Sequence, residues 1–104
     1  LLVVLLAAQL VSMVRQEYAI DELTRSAQSD SELALVVASV SDEFRLSERE
    51  REILGLIGRG YTASAVAETL VISPHTVNTH VQHIYAKLGI HKRSELISYL
   101  HRRG

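Results

Sequence analysis

The sequence predicts an all-α fold, with four short helices over residues 46–104 and one or two further helices ahead of them. Three observations predict it. Apolar residues recur at three- and four-residue intervals, the period of one helix face. Hydroxyl residues (Ser47, Thr62, Ser73) precede three of the apolar stripes, where they can cap a helix start. Glycines (Gly60, Gly89) follow two of the stripes, where the chain can turn left-handed and stop.

In order along the chain, residues 1–14 read LLVVLLAAQLVSMV, with Gln9 and Ser12 the polar members and no charge. A membrane-spanning helix needs roughly 20 apolar residues, so the run is short as it stands. No basic segment precedes it, which argues against a secretory leader. Three readings follow: the end of a transmembrane helix with Arg15 on its cytoplasmic side, an association helix that buries its surface on a partner or a second copy, or a core helix of a larger domain. The first residue is Leu1, and the chain is expected to be a fragment of a longer protein or a processed one.

Residues 15–45 form a connecting region. Met13, Ile20 and Ala27 are seven apart, with Leu23 beside them, but the alternation is not sustained and no coiled coil is predicted. Ser26 to Ser31 (SAQSDS) reads as a turn of small polar residues. Ser31 is then expected to cap a second helix carrying Leu33, Val36, Val37, Val40 and Phe44 on one stripe, and Ser41-Asp42-Glu43 to loosen its end.

The domain proper begins at Leu46. Ser47 and Glu50 have the spacing of a capping box, in which each side chain bonds the other's backbone amide. Ile53, Leu54 and Ile57 form the buried stripe, and Gly60 the stop. Thr62 caps a short helix, Ala63 to Leu70, with Val66, Ala67 and Leu70 inward. After three residues, Ser73-Pro74 starts a longer helix to Leu88, with Pro where a missing N–H costs nothing. Its stripe is Val77, Val81, Ile84 and Leu88, and Gly89 ends it. Lys87 sits near its C-terminal dipole. A last helix, about Ser94 to Arg102, buries Leu96, Ile97 and Leu100. A short helix, a three-residue turn and a longer capped helix make a helix-turn-helix.

Charge divides the chain. Residues 1–45 hold three arginines against seven acids, a net of −4, whereas residues 46–104 hold eight Lys or Arg against five acids, a net of +3. The second part also holds all five histidines. The balance permits nucleic-acid binding there without demanding it. With no cysteine in the chain, disulfides, thiol nucleophiles and Cys-type zinc fingers are excluded.

With Val77, Val81, Ile84 and Leu88 inward at 100° per residue, His75, Asn78, Thr79, Gln82, His83 and Ala86 point outward or to the flanks. This face has no carboxylate, although the chain has 12 acids. Asn and Gln pair bidentately with adenine, and Thr bonds a base edge or touches a thymine methyl. The face lies in the N-terminal half of the helix, the part that enters the major groove in helix-turn-helix proteins. Asn78, Thr79 and Gln82 are therefore the candidate base readers. Thr62, His75, Thr76, His83, Lys87, Lys92 and Arg93 are the candidates for the DNA backbone, helped by the helix N-termini at Ala63 and Pro74.

Residues 46–104 resemble the LuxR-type (GerE-like) domain of bacterial transcription regulators. The motifs are Leu-Ser-Glu-Arg-Glu-Arg-Glu-Ile-Leu at 46–54, Gly60 with Thr62, Val66-Ala67, Leu70, Ile72-Ser73, Thr76-Val77, His80, Ile84, Lys87-Leu88-Gly89-Ile90, and Arg93 with Glu95. The resemblance implies a four-helix LuxR-type helix-turn-helix domain with its third helix in the major groove, base contacts at Asn78, Thr79 and Gln82, and dimers on DNA through the fourth helix. Ile97, Tyr99 and His101 are the candidate dimer contacts. It further implies double-stranded DNA and a second copy as partners, RNA polymerase as another, and an upstream membrane-embedded or ligand-sensing domain. The domain would then work in the cytoplasm, with tethering to the inner face of the membrane if the apolar run is membrane sequence. There are two departures from the family pattern: Asn78 stands where Lys is usual, and Ala63-Ser64-Ala65 where Asn-Lys-Glu is usual.

Two other classes compete. An enzyme would need chemistry absent here: there is no glycine-rich phosphate loop, no G-x-S-x-G and no His-Glu-x-x-His frame around His75, His80 and His83, so neither catalytic nor metal-ligating residues are assigned, nor any cofactor. A helix-turn-helix module for protein–protein interaction is the alternative, and the acid-free face of the third helix argues against it.

Overall fold

The computed structural model describes the backbone of residues 1–104 and the side chains of residues 1–13 and 23–104. The described residues form five helices and no strand: α1 (Leu2–Glu43), α2 (Glu48–Gly58), α3 (Ala63–Leu70), α4 (Pro74–Leu88) and α5 (Arg93–Arg103). They divide into two compact units, Leu1–Asp30 and Ser31–Gly104.

The first unit is helical, and its described apolar side chains are open to solvent. Leu1, Leu2, Val3, Val4, Leu5, Leu6, Leu10, Val11 and Met13 are all 51–103% exposed. Among the described residues no helix is long and apolar enough to cross a membrane. Arg15 and Ile20, on which two sequence expectations rested, lie outside the described side chains.

The turn expected at Ser26–Ser31 is not there. That stretch is helical, and Ser31 lies inside α1 instead of capping a new helix. The physical reason is the absence of a breaker: SAQSDS holds neither Gly nor Pro, and each Ser or Asp costs a helix less than about 0.7 kcal/mol relative to Ala. The end of α1 is also anchored, since Val37 and Val40 are buried in the core of the second unit.

That core joins Val37 and Val40 to Ile53, Leu54 and Ile57 of α2, Val66 and Ala67 of α3, Val77 and Ile84 of α4, and Leu96 and Leu100 of α5. It is wider than residues 46–104, because the last turns of α1 belong to it. Leu33 and Leu100 both close on Gly58, where a Cβ would lie 3.0 Å from the Leu33 side chain. Arg103 of α5 bonds the Glu43 carboxylate and the Ser39 hydroxyl, and it lies over the Tyr99 ring. Phe44 meets the same ring edge-on, 6.3 Å between centroids.

The four interhelical turns share one design. A residue in the left-handed conformation follows each helix: Arg45, Gly60, Val71 and Gly89. The next amide then reaches back five residues, Leu46 to Ser41, Tyr61 to Leu56, Ile72 to Ala67 and Ile90 to Tyr85, at 2.9–3.1 Å. This is the Schellman stop, which satisfies a carbonyl that the helix leaves orphaned. Its usual apolar contact is present in every case, because Leu46, Tyr61, Ile72 and Ile90 pack against the core. Gly60 and Gly89 adopt the geometry without a Cβ penalty. Arg45 and Val71 carry that penalty.

Candidate nucleic-acid interface

The interface is assembled from caps. Ser47 accepts the Glu50 amide at 3.1 Å while Glu50 accepts the Ser47 amide at 3.0 Å, completing the predicted capping box of α2. Thr62 accepts the Ala65 amide at 3.1 Å and starts α3. Ser73 accepts the Thr76 amide at 3.1 Å and starts α4, with Pro74 in the first turn. Between α3 and α4 lie only Val71, Ile72 and Ser73. α4 then packs on both α2 and α3, so its pose is fixed from two sides.

That packing sorts the residues of α4. Val77 and Ile84 are buried, with Val81 and Leu88 half-buried beside them. His75, Asn78, Thr79, Gln82, His83 and Ala86 are exposed. Asn78 and Gln82 make no hydrogen bond among the described residues, so both carboxamides are available whole. Thr79 donates its hydroxyl proton to the His75 carbonyl at 3.1 Å and keeps its lone pairs and methyl. Thr76 is half-buried, its hydroxyl shared with Ser73 at 2.8 Å. Thr62 is exposed at the start of α3.

Two of the candidate backbone cations are bound inside the chain. The Lys87 ammonium lies 2.7 Å from the Glu50 carboxylate and 3.3 Å from the Arg45 carbonyl. The Glu50 side chain is only 6% exposed. Burial alone would raise its pKa, but the Lys87 ammonium and the Ser47 amide outweigh it, with help from His83, and hold the carboxyl below its ordinary value. Arg93 donates to the Tyr61 carbonyl at 2.6 Å, tying the start of α5 to the turn ahead of Thr62. It also lies near the Tyr85 phenol, which burial pushes up and Arg93 pulls partly back. Lys92 is exposed. Sequence reasoning took Lys87 as a surface cation and Glu50 as a cap alone. Their pairing joins residues 37 apart and left no local signal.

The candidate dimer contacts also separate. Ile97 is half-buried against the core, and Tyr99 is covered in part by Phe44 and Arg103 of its own chain. His101 is exposed, in line with Ser94, Ser98 and Arg102 on the open face of α5. No group of three or more His, Cys, Asp or Glu among the described residues is placed to hold a metal ion.

A short capped helix, a three-residue turn and a longer helix with an exposed, acid-free face define a helix-turn-helix domain of the DNA-binding class. The chain belongs to the luxR family of bacterial regulatory proteins, whose pattern matches residues 45–100. It is similar to the oxygen regulatory protein NreC of Staphylococcus aureus (strain bovine RF122 / ET3-1), with 48% identity over 63 residues, 60% of this chain and 29% of that protein. Against the oxygen regulatory protein NreC of Staphylococcus epidermidis (strain ATCC 35984), identity is 41% over 81 residues, 77% of this chain and 35% of that protein. The chain thus spans about a third of the length of the curated relatives it matches. No solved structure matches it.

Proposed function

We propose that this chain is the output part of a bacterial transcription regulator, acting in the cytoplasm as a homodimer that lays α4 in the major groove of duplex DNA. The observation that carries the reading is the exposed face of the first ten residues of α4, where His75, Asn78, Thr79, Gln82 and His83 offer donors and acceptors without a single carboxylate. Thr62 at the start of α3, His75, Thr76 and His83 on α4, and Lys92 and Arg93 at the start of α5 are the proposed backbone grips. Lys87 is left out because its ammonium is held by Glu50. The open face of α5, with His101 at its centre and the edges of Ile97 and Tyr99 beside it, is the proposed contact between copies. The relatives are about twice as long and are named as oxygen regulatory proteins, which supports a sensing domain elsewhere in the full-length regulator.

The test is binding of a fluorescent duplex over a range of salt. Phosphate contacts release counterions, so log K falls against log salt with a slope of about −0.9 per contact. A slope of about −4 or steeper supports the reading. A flat response, or no duplex binding at low salt, would sink it and favour a protein partner.

A further inference from the structure

We propose that α4 reads an A·T-rich half-site in which Asn78 and Gln82 each hold one adenine, about two base steps apart. The inference rests on α4 being the DNA-contacting helix and names what that helix recognises. In the major groove guanine presents two acceptors and is read by Arg or Lys, while adenine presents one acceptor and one donor. A carboxamide matches adenine, because it carries a donor and an acceptor side by side. The reading face supplies two carboxamides, both exposed and without a hydrogen-bond partner among the described residues. It supplies no guanine-reading cation. Lys87 is the one Lys or Arg in α4, and it is spent on Glu50 at 2.7 Å and on the Arg45 carbonyl.

Spacing gives the register. Asn78 and Gln82 are four residues apart on one face, about 6 Å along the helix axis. Bases along one strand rise about 3.4 Å each, so two adenines with one base between them meet the two amides. Thr79 adds to the same preference. Its proton is committed to the His75 carbonyl, which leaves an acceptor for an adenine amino group and a methyl for a thymine.

The experiment is selection of binding sites from a random duplex library by the full chain and by Asn78→Ala, Gln82→Ala and Asn78→Lys. All three substitutions are at exposed positions and leave the core untouched. The wild type is expected to enrich half-sites with adenine at two positions about two steps apart. Each alanine variant is expected to lose roughly tenfold of the preference at one of them and keep the other. Asn78→Lys is expected to convert its position toward guanine. Half-sites with G·C at both positions, alanine variants with unchanged preferences, or tight but sequence-indifferent binding would overturn the inference. Absence of any duplex binding would instead overturn the DNA reading beneath it.

Discussion

Val71 holds a left-handed backbone, φ 55°, in the turn ahead of α4, and its side chain is 88% exposed. The conformation costs an L-residue about 1–2 kcal/mol, and the exposed side chain recovers little by packing. Val71→Gly is therefore expected to stabilise the domain by about 1 kcal/mol, a rise of roughly 4–8 °C in thermal midpoint for a unit of this size. A lower midpoint on thermal unfolding would show that the turn is built otherwise. Ser41 is a second residue that costs stability. It is buried, and its hydroxyl has no hydrogen-bond partner among the described residues. Ser41→Ala removes that unmet polar group and is expected to be neutral or stabilising by about 1 kcal/mol, read from the urea midpoint.

At the scale of elements, the Glu50–Lys87 pair joins the start of α2 to the end of α4. Lys87→Met leaves a buried carboxylate without its cation and is expected to cost about 1–3 kcal/mol in urea unfolding. It should also leave the salt slope of DNA binding unchanged, whereas Lys92→Ala should reduce that slope by about 0.9. Equal changes in slope would return Lys87 to the DNA backbone. The pair has a pH signature as well. Glu50 titrates below its ordinary value in the folded state, so the stabilisation is full above the ordinary glutamate range and is lost as pH falls through the lowered value. The stability difference between wild type and Glu50→Gln should therefore shrink on going from neutral to acid pH.

The elements also show what a sequence carries. Helices α2 to α4 were legible because their signals are local: the Ser47–Glu50 box, Thr62, Ser73-Pro74, and the stops at Gly60 and Gly89. The exposed face of α4 was legible for the same reason, since one helical wheel places Asn78, Thr79 and Gln82 on it. The stops at Arg45 and Val71 were not legible, because neither residue favours the left-handed conformation and core packing of Leu46 and Ile72 holds them there. The continuity of α1 through SAQSDS was missed because polar residues weaken a helix without breaking it. The bonds of Lys87 to Glu50 and Arg93 to Tyr61 span 37 and 32 residues, distances that only the folded arrangement closes.

For the whole molecule, the compact unit that holds the helix-turn-helix begins at Ser31. Val40 of α1 is fully buried among residues of the helix-turn-helix core. Val40→Ala, which deletes two buried methyl groups, should then lower the stability of that unit by about 2 kcal/mol in a single cooperative urea transition. Separate transitions for α1 and the remaining helices would contradict a shared core. The central claim is that this unit meets DNA through α4. It is tested most directly by titrating the 15N-labelled chain with duplex DNA and following backbone and side-chain amide shifts. The account predicts the largest shifts at the side-chain amides of Asn78 and Gln82 and along the first half of α4, with smaller ones at Thr62 and Lys92. Shifts gathered on α1 or α2 with α4 unmoved would contradict it.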